Sequence, residues 1–473
     1  MRTFLSNVLS GALFSIFVIA CSNPSSDAGF HREGPPNVVI IFADDLGYGD
    51  LSSYGHPSIK TPHLDRMVAE GQKWTNFYSA ANVCTPSRAA LLTGRYPIRN
   101  GMCSDVRRVL FPNSAGGLPQ TENTIARILK PAGYATAAIG KWHLGHLEPF
   151  LPTSHGFDYY FGIPYSNDMD AVNDLDRRER FWNAKIEYFH VPLMRNTEII
   201  ERPADQTTIT KRYTEEAIAF MNSHKEQPFF IYLAHNLPHV PLFVSEDFVG
   251  ISDRGLYGDV VEEIDWGVGQ ILDYLRSSGL AENTLVVFTS DNGPWVAYDD
   301  HGGSAGLFYG AKGTSYEGGV REPAIFWWPG TIHPRMVTGM GSTLDLLPTI
   351  ASLANIALPD DRVYDGYDLS GSLIEGLPSP REEMYFYHGT RLFGARKGSY
   401  KAHFFQNNPR GYPERMEVLD QAKLYQVQHD PGEQYDLAAE HPEVLEEIAE
   451  MVEKHRSNLV PAPTNLESRL ETP

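Results

Sequence analysis

Val38-Val39-Ile40-Ile41-Phe42, running through Ala43 into Asp44-Asp45, decides the fold. These consecutive apolar residues, mostly β-branched, leave no polar face, so they predict a strand buried on both sides. Such strands belong to largely parallel sheets covered by helices. Two carboxylates at the carboxyl end of the strand lie where open α/β sheets bind ligands. The pattern recurs along the chain. Tyr134 to Ile139 meets Gly140-Lys141-Trp142-His143, and Phe229 to Leu233 meets Ala234-His235 and Pro238-His239. Thr284 to Ser290 discharges into Asp291-Asn292-Gly293. Strands that each end in charged or metal-capable residues predict that distant segments converge at one sheet edge.

The intervening sequence fits this α/β reading. Thr61-Pro62 starts a helix that stops at Gly71, and apolar residues from Val260 to Leu275 recur at helical spacing within a helix from about Gly255 to Ser278. Glu262-Glu263-Asp265 is expected on its solvated face. Tyr159-Tyr160-Phe161 is expected in the core, and Trp327-Trp328 fills the end of a strand from Ala324 with one ring exposed. Beyond residue 378 the rhythm changes to short alternating strands at 384–388, 393–396, 400–404 and 423–427, then a helix from Glu443 to Lys454. The expected organisation is a catalytic α/β domain at 37–378 and an α+β subdomain, an antiparallel sheet with one helix, at 379–473.

The chain has 473 residues and a formal charge of −20, from 39 Lys and Arg against 59 Asp and Glu. So acidic a surface repels phosphate backbones and excludes nucleic acid as a partner. Any anion site must therefore be locally basic. Three cysteines cannot form a disulfide scaffold. The apolar run Val8 to Ala20 follows Arg2 and falls short of the ~20 residues that span a bilayer, which marks residues 1–20 as a signal peptide. It ends Val18-Ile19-Ala20-Cys21-Ser22, which resembles the lipobox of bacterial lipoproteins, where the thiol after the cleavage point is lipidated. An ordinary secretory signal cleaved near Ala20 is the alternative. Both imply export, to the periplasm or cell surface of a bacterium, with membrane contact only through a lipid anchor at Cys21. Residues 21–36, rich in Ser, Pro and Gly, read as a tether.

Asp44-Asp45 or Asp291-Asn292-Gly293 alone would be a turn or a helix cap. Brought together, three carboxylates and an amide oxygen need a cation. All-oxygen ligands favour Ca²⁺, with Mg²⁺ possible, over zinc, because no histidine falls beside either pair. Cys84 precedes Thr85-Pro86-Ser87-Arg88 at the start of a helix running to Gly94, a position that lowers a thiol's pKa. A disulfide to Cys103 or a buried inert thiol are the plainer readings.

Cys84-Thr85-Pro86-Ser87-Arg88, followed by Leu91-Leu92-Thr93-Gly94-Arg95, resembles the signature of the type I sulfatases, whose cysteine is oxidised to formylglycine by a maturing enzyme. Lys141-Trp142-His143-Leu144-Gly145 and the block from Gly310 to Gly319 resemble two further family blocks. Gly162-Ile163-Pro164-Tyr165-Ser166 and Lys401-Ala402-His403-Phe404-Phe405 are similar to stretches of the branch containing arylsulfatase A and N-acetylgalactosamine-6-sulfatase. The resemblance implies an alkaline-phosphatase-like mixed sheet and hydrolysis of sulfate monoesters, aryl or carbohydrate. It implies that Asp44, Asp45, Asp291, Asn292 and the modified Cys84 hold the cation, and that Arg88 stabilises the hydrated aldehyde. Lys141, Lys312 and Ser166 would bind sulfate oxygens. His143 would take a proton from one hydroxyl of the hydrate, and His239 would face the ester's leaving oxygen.

The chemistry suits those roles. The site must neutralise an anionic centre before attack, and a hydrate can expel sulfate where a serine ester would need a second hydrolysis. Imidazoles near their ordinary pKa of about 6.5 fit both proton transfers. A phosphomonoesterase or phosphodiesterase of the same superfamily, and a lipoprotein that binds sulfated glycans without cleaving them, are the competing functions. His235 is expected as a supporting or core residue, and His146 and His155 have no partner visible in sequence. The loop 168–203 has no recognisable motif. Its Arg177, Arg178, Arg180 and Lys185 either read a second anionic group or are simply solvated.

Overall fold

Every residue of the first strand is buried, and its side chains alternate between two cores. Val39, Ile41 and Ala43 enter one cluster; Val38, Ile40 and Phe42 enter the other. The structure, a computed structural model, describes residues 34–172 and 174–471. The expected signal peptide, Cys21 and most of the expected tether lie outside the described residues.

Ten strands form one mixed sheet. They are β1 (Asn37–Ala43), β2 (Gln72–Tyr78), β3 (Ala135–Gly140), β4 (Tyr159–Gly162), β5 (Leu193–Arg195), β6 (Glu198–Glu201), β7 (Phe229–Ala234), β8 (Thr284–Ser290), β9 (Arg321–Trp327) and β10 (Arg335–Ser342). Their order is β10-β2-β9-β8-β1-β7-β3-β4-β5-β6. The strands that end in candidate site residues, β8, β1, β7 and β3, are consecutive neighbours and mutually parallel. Register aligns their ends: Ala43 opposes Ser290, and Phe42 and Gly140 both oppose Ala234. The residues that follow each strand therefore emerge side by side. Gly140 has φ 105°, and a Cβ there would meet Ala234 O at 1.9 Å, so no larger residue fits this close approach.

Helices cover both faces. Pro62–Glu70, Ile209–Ser223 and Leu256–Ser277 pack into the cluster containing Val39, and Leu346–Leu353 packs into the other. A separate sheet of β11 (Glu383–His388), β12 (Arg391–Lys397), β13 (Tyr400–Gln406) and β14 (Glu417–Gln426) is antiparallel throughout. The helix Pro442–Ser457 packs on it, and a third core joins Tyr78, Ala90 and Tyr96 to Met384, Phe386 and Ile448.

Two expectations fail here. Glu263 and Asp265 are buried rather than solvated. Asp265 accepts from the backbone N–H groups of His63 (3.1 Å) and Leu64 (2.7 Å), satisfying a helix start, and Glu263 accepts from Ser245 N at 3.1 Å. Both Trp327 and Trp328 are buried, with indole N–H groups donating to Glu70 Oε2 and Glu282 O. Within the stretch 168–203 lie the short helix Arg177–Trp182 and the β5–β6 hairpin.

Candidate functional site

Because β1 and β8 end level, Asp44, Asp45, Asp291 and Asn292 meet at the sheet edge, all fully or almost fully buried. Asp45 has φ 64°, a left-handed conformation rare for a side chain this size, and its N–H donates to Asp291 Oδ1 at 3.1 Å. Gly293 lets the next turn approach Gly318 O, which a Cβ would meet at 2.0 Å.

Cations answer this acidic group. Lys141, following β3, places Nζ 2.6 Å from Asp44 Oδ2 and 3.1 Å from Ser166 Oγ. Lys312, from the loop between β8 and β9, has Nζ 2.7 Å from Asp45 and 3.5 Å from Cys84 Sγ. Arg88 grips Asp291 Oδ2 with Nε at 3.1 Å and Nη2 at 2.8 Å, and bonds Lys141 O at 3.0 Å. Burial opposes the charge of Asp44, but Lys141 and Arg88 outweigh it and hold that carboxyl well below the usual range. Burial instead pushes Asp45 up to about 6 against the pull of Lys312. It pushes Asp291 up to about 7, reinforced by the charge of Asp44.

The set fits a hard cation. Asn292 donates Nδ2–H to Asp45 Oδ1 at 2.7 Å, while its Oδ1 is buried with no hydrogen-bond partner, an oxygen suited to a metal. Donor atoms of Asp44, Cys84 and Asp291 lie within 4.8 Å of one another, as do those of Asp45, Cys84 and His239. Sequence neighbours gave no histidine to this centre. The fold supplies one: His239 Nε2 is 3.6 Å from Asp45 Oδ2.

Cys84 begins the helix Cys84–Thr93, with Sγ 3.5 Å from Asp44 Oδ1. Cys84 and Cys103 are both free and buried, so no disulfide joins them. The expected depression of the thiol pKa does not occur. Burial raises it, and the carboxylates of Asp44 and Asp291 add to that, against the pull of Lys141 and Lys312.

The histidines also depart from their ordinary range. His143, in the left-handed region at φ 58°, directs Nε2 to Leu110 O at 2.9 Å. That nitrogen carries the proton, and the buried Nδ1, without a partner, keeps a free lone pair. Nδ1 of His239 faces Val240 O at 2.6 Å, which leaves Nε2 toward Asp45. Burial first, and then Lys141 for His143 and Lys312 for His239, hold both imidazoles well below 6.5. His235 is buried behind the site, 6.3 Å from the Tyr213 ring between centroids.

A cavity of about 720 Å³ opens above these groups, with Cys84, His143, Ser166, His239 and Lys312 in its lining. Sequence reasoning missed Arg107, Arg108, Asp168, Trp295, Tyr412 and Arg469, which also line it. Asp168 and Trp295 each lie a few residues from a quoted motif, which was a usable signal. Tyr412 sits in the excursion between β13 and β14 and carried none. Arg177, Arg178, Arg180 and Lys185 are not among the lining residues. Arg177 donates to Ala297 O and stacks 4.5 Å over Tyr298, and Arg180 donates to Val172 O and Leu175 O.

Comparison with known proteins identifies the family. Residues 36–356 match the family model described as Sulfatase, and residues 379–473 match the C-terminal region of aryl-sulfatase. The chain is 41% identical over 452 residues to human Arylsulfatase A, covering 90% of this chain and 88% of that protein. It is 38% identical over 470 residues to human N-acetylgalactosamine-6-sulfatase, covering 91% and 88%. Among solved structures, PsFucS1 sulfatase from Pseudoalteromonas sp. superposes with a TM-score of 0.80 at 28% identity, covering 90% of this chain and 92% of that one. BT33336S-sulf, from a Bacteroides thetaiotaomicron locus for metabolism of multiple glycosaminoglycans, gives a TM-score of 0.78 at 30% identity, covering 90% and 100%.

Proposed function

This chain belongs to the sulfatase family and is a sulfuric ester hydrolase, and from that premise we propose that Cys84 is its nucleophile position and the cavity above it its active site. The family hydrolyses sulfate monoesters using a metal ion and a formylglycine. Oxidised and hydrated, residue 84 supplies one hydroxyl that attacks sulfur and a second whose deprotonation re-forms the aldehyde as the C–O bond to sulfate breaks. Asp44, Asp45, Asp291, Asn292 and the hydrated residue 84 would hold the cation, Ca²⁺ in preference to Mg²⁺ because Mg²⁺ keeps several waters whereas Ca²⁺ accepts a cage of protein oxygens. Bound there, the ion supplies positive charge to the ester's oxygens.

The chain's own groups do the rest. Lys141 and Lys312 project their ammonium groups toward the same space and bind sulfate oxygens, with Ser166 Oγ beside Lys141. Arg88 orients Asp291 and adds buried positive charge beside residue 84. His143 accepts a proton at Nδ1, and its low pKa keeps it an unprotonated base. His239 donates from Nε2 to the departing alcohol. An incoming sulfate offsets the lysine charges that depress His239 and so raises its proton affinity.

Substrates are sulfated carbohydrates or aryl sulfates. The division into a catalytic part at 37–378 and a C-terminal part at 379–473 belongs to this reading, as do export, the lipid anchor at Cys21 and oxidation of Cys84 by a maturing enzyme. One observation carries the assignment: a buried cysteine at a helix start, 3.5 Å from both Lys312 Nζ and an Asp44 oxygen, on the floor of the cavity. Cys84→Ala should lower hydrolysis of a sulfated phenol by at least about 10³-fold while leaving the melting transition in place. Full activity in that variant would move the nucleophile elsewhere.

A further inference from the structure

Arg107 is buried at 8% exposure, yet among the described residues no carboxylate pairs with it. Its Nη2 donates to Asn113 Oδ1 at 2.7 Å and its guanidinium lies 4.8 Å over the Phe111 ring. Its Nη1 is buried without any hydrogen-bond partner. An unpaired buried cation is costly, so its retention calls for an anionic partner.

A second cation stands beside it. The end of the chain returns as a strap: Ala115 N–H donates to Ser468 O, Leu470 N–H donates to Asn113 O, and Ser114 bridges Arg469. This places Arg469 on the same cavity wall, also without a carboxylate partner among the described residues. Burial first, then the charge of Arg469, lowers the pKa of Arg107, as expected for like charges with no anion between them. Arg108, by contrast, is engaged: it stacks 4.5 Å from the Tyr412 ring and lies 3.7 Å from Glu414. The sulfate is met by Lys141 and Lys312 on the floor, so the arginines at the mouth are surplus to one ester group. The cavity, at about 720 Å³, has room for more than one sugar ring.

We infer that the substrate carries a second anionic group, a carboxylate or another sulfate, on the sugar unit next to the one bearing the scissile ester, and that Arg107 with Arg469 binds it. The guanidinium fork offers paired donors matched to either anion. This inference rests on the hydrolase reading above and narrows its substrate to polyanionic glycans. It also replaces the loop cations Arg177 to Lys185 as readers of a second charge.

The test compares three monosaccharide- or disaccharide-length probes on the wild-type enzyme: a neutral sugar with one sulfate, the same sugar joined to a uronate, and the same sugar joined to a second sulfated unit. The expected kcat/KM for at least one dianionic probe exceeds that for the monosulfated probe by tenfold or more, mostly through KM. Adding salt to about 1 M, where screening acts within roughly 3 Å, should shrink that ratio. The double variant Arg107→Gln, Arg469→Gln should bring it close to one. Comparison of the uronate and disulfated arms identifies which anion is read. A wild-type ratio near one, or a ratio that survives both salt and the double variant, overturns the inference while leaving the hydrolase reading intact. Failure of the wild type on every sulfated probe strikes the hydrolase reading, and this inference falls with it.

Discussion

Neither ring nitrogen of His155 has a hydrogen-bond partner, and the fully buried side chain lies against Trp142 with 5.8 Å between ring centroids. Burial, assisted by the charge of Arg127, lowers its pKa to about 3 from an ordinary 6.5. The unfolded chain therefore takes up this proton first. The stabilising contribution of neutral His155 is complete above pH 6.5 and is lost as pH falls toward 3, at about 1.4 kcal/mol per pH unit. His235, lowered to about 4 chiefly by burial, acts in the same direction. His155→Leu should retain the packing and remove the titration, so acid unfolding followed by circular dichroism should shift to lower pH and lose about one proton of slope. An acid transition identical to that of the wild type would show that His155 is not buried neutral. The sequence showed this histidine but not its environment, because burial is decided by chain segments remote from it.

At the scale of elements, one carboxylate ties the two sheets together. Glu317 starts the short helix after the Lys312 loop, and its Oε1 accepts from Lys401 Nζ of β13 at 2.9 Å. Its Oε2 accepts from Tyr78 Oη of β2 at 2.6 Å and from Arg321 Nη1 of β9 at 3.0 Å. Burial opposes its charge, but Lys401, Arg321 and Arg396 outweigh that and hold the carboxyl well below its ordinary value. Glu317→Ala would leave buried Arg321 without its carboxylate and Lys401 with only Glu433 at 3.4 Å, and should cost about 3–5 kcal/mol in denaturant unfolding. A loss under about 1 kcal/mol would place the linkage between the sheets elsewhere. Glu317 and Lys401 both lie in blocks that sequence reading singled out, but their pairing was not legible. It depends on a small sheet folding back onto a large one. By contrast, the strands β1, β3, β7 and β8 were legible, because unbroken apolar runs ending in polar clusters state both burial and direction. The antiparallel setting of β9 between β2 and β8 was not, since an apolar run has no sign.

For the whole molecule, the governing contrast is between a net charge of −20 and a cavity lined by Lys312, Arg107, Arg108 and Arg469. The acidic exterior keeps polyanions off most of the surface, and the clustered cations of the cavity define where one can settle. The group beneath that cavity was readable from motifs: Asp44, Asp45, Lys141 and Asp291 follow strands, Cys84 starts a helix, and Lys312 lies in a motif block between β8 and β9. Its walls were not, because Arg107 and Arg469 meet only when the end of the chain straps across residues 113–115. The central claim, that residue 84 acts after oxidation, is tested most directly by mass spectrometry of the residue-84 peptide from enzyme purified out of its own host, read beside specific activity. The account predicts a peptide that has lost its sulfur and carries an aldehyde trapped by a hydrazide reagent, in a fraction that rises in step with activity. A fully active preparation whose Cys84 is an intact thiol throughout would contradict it.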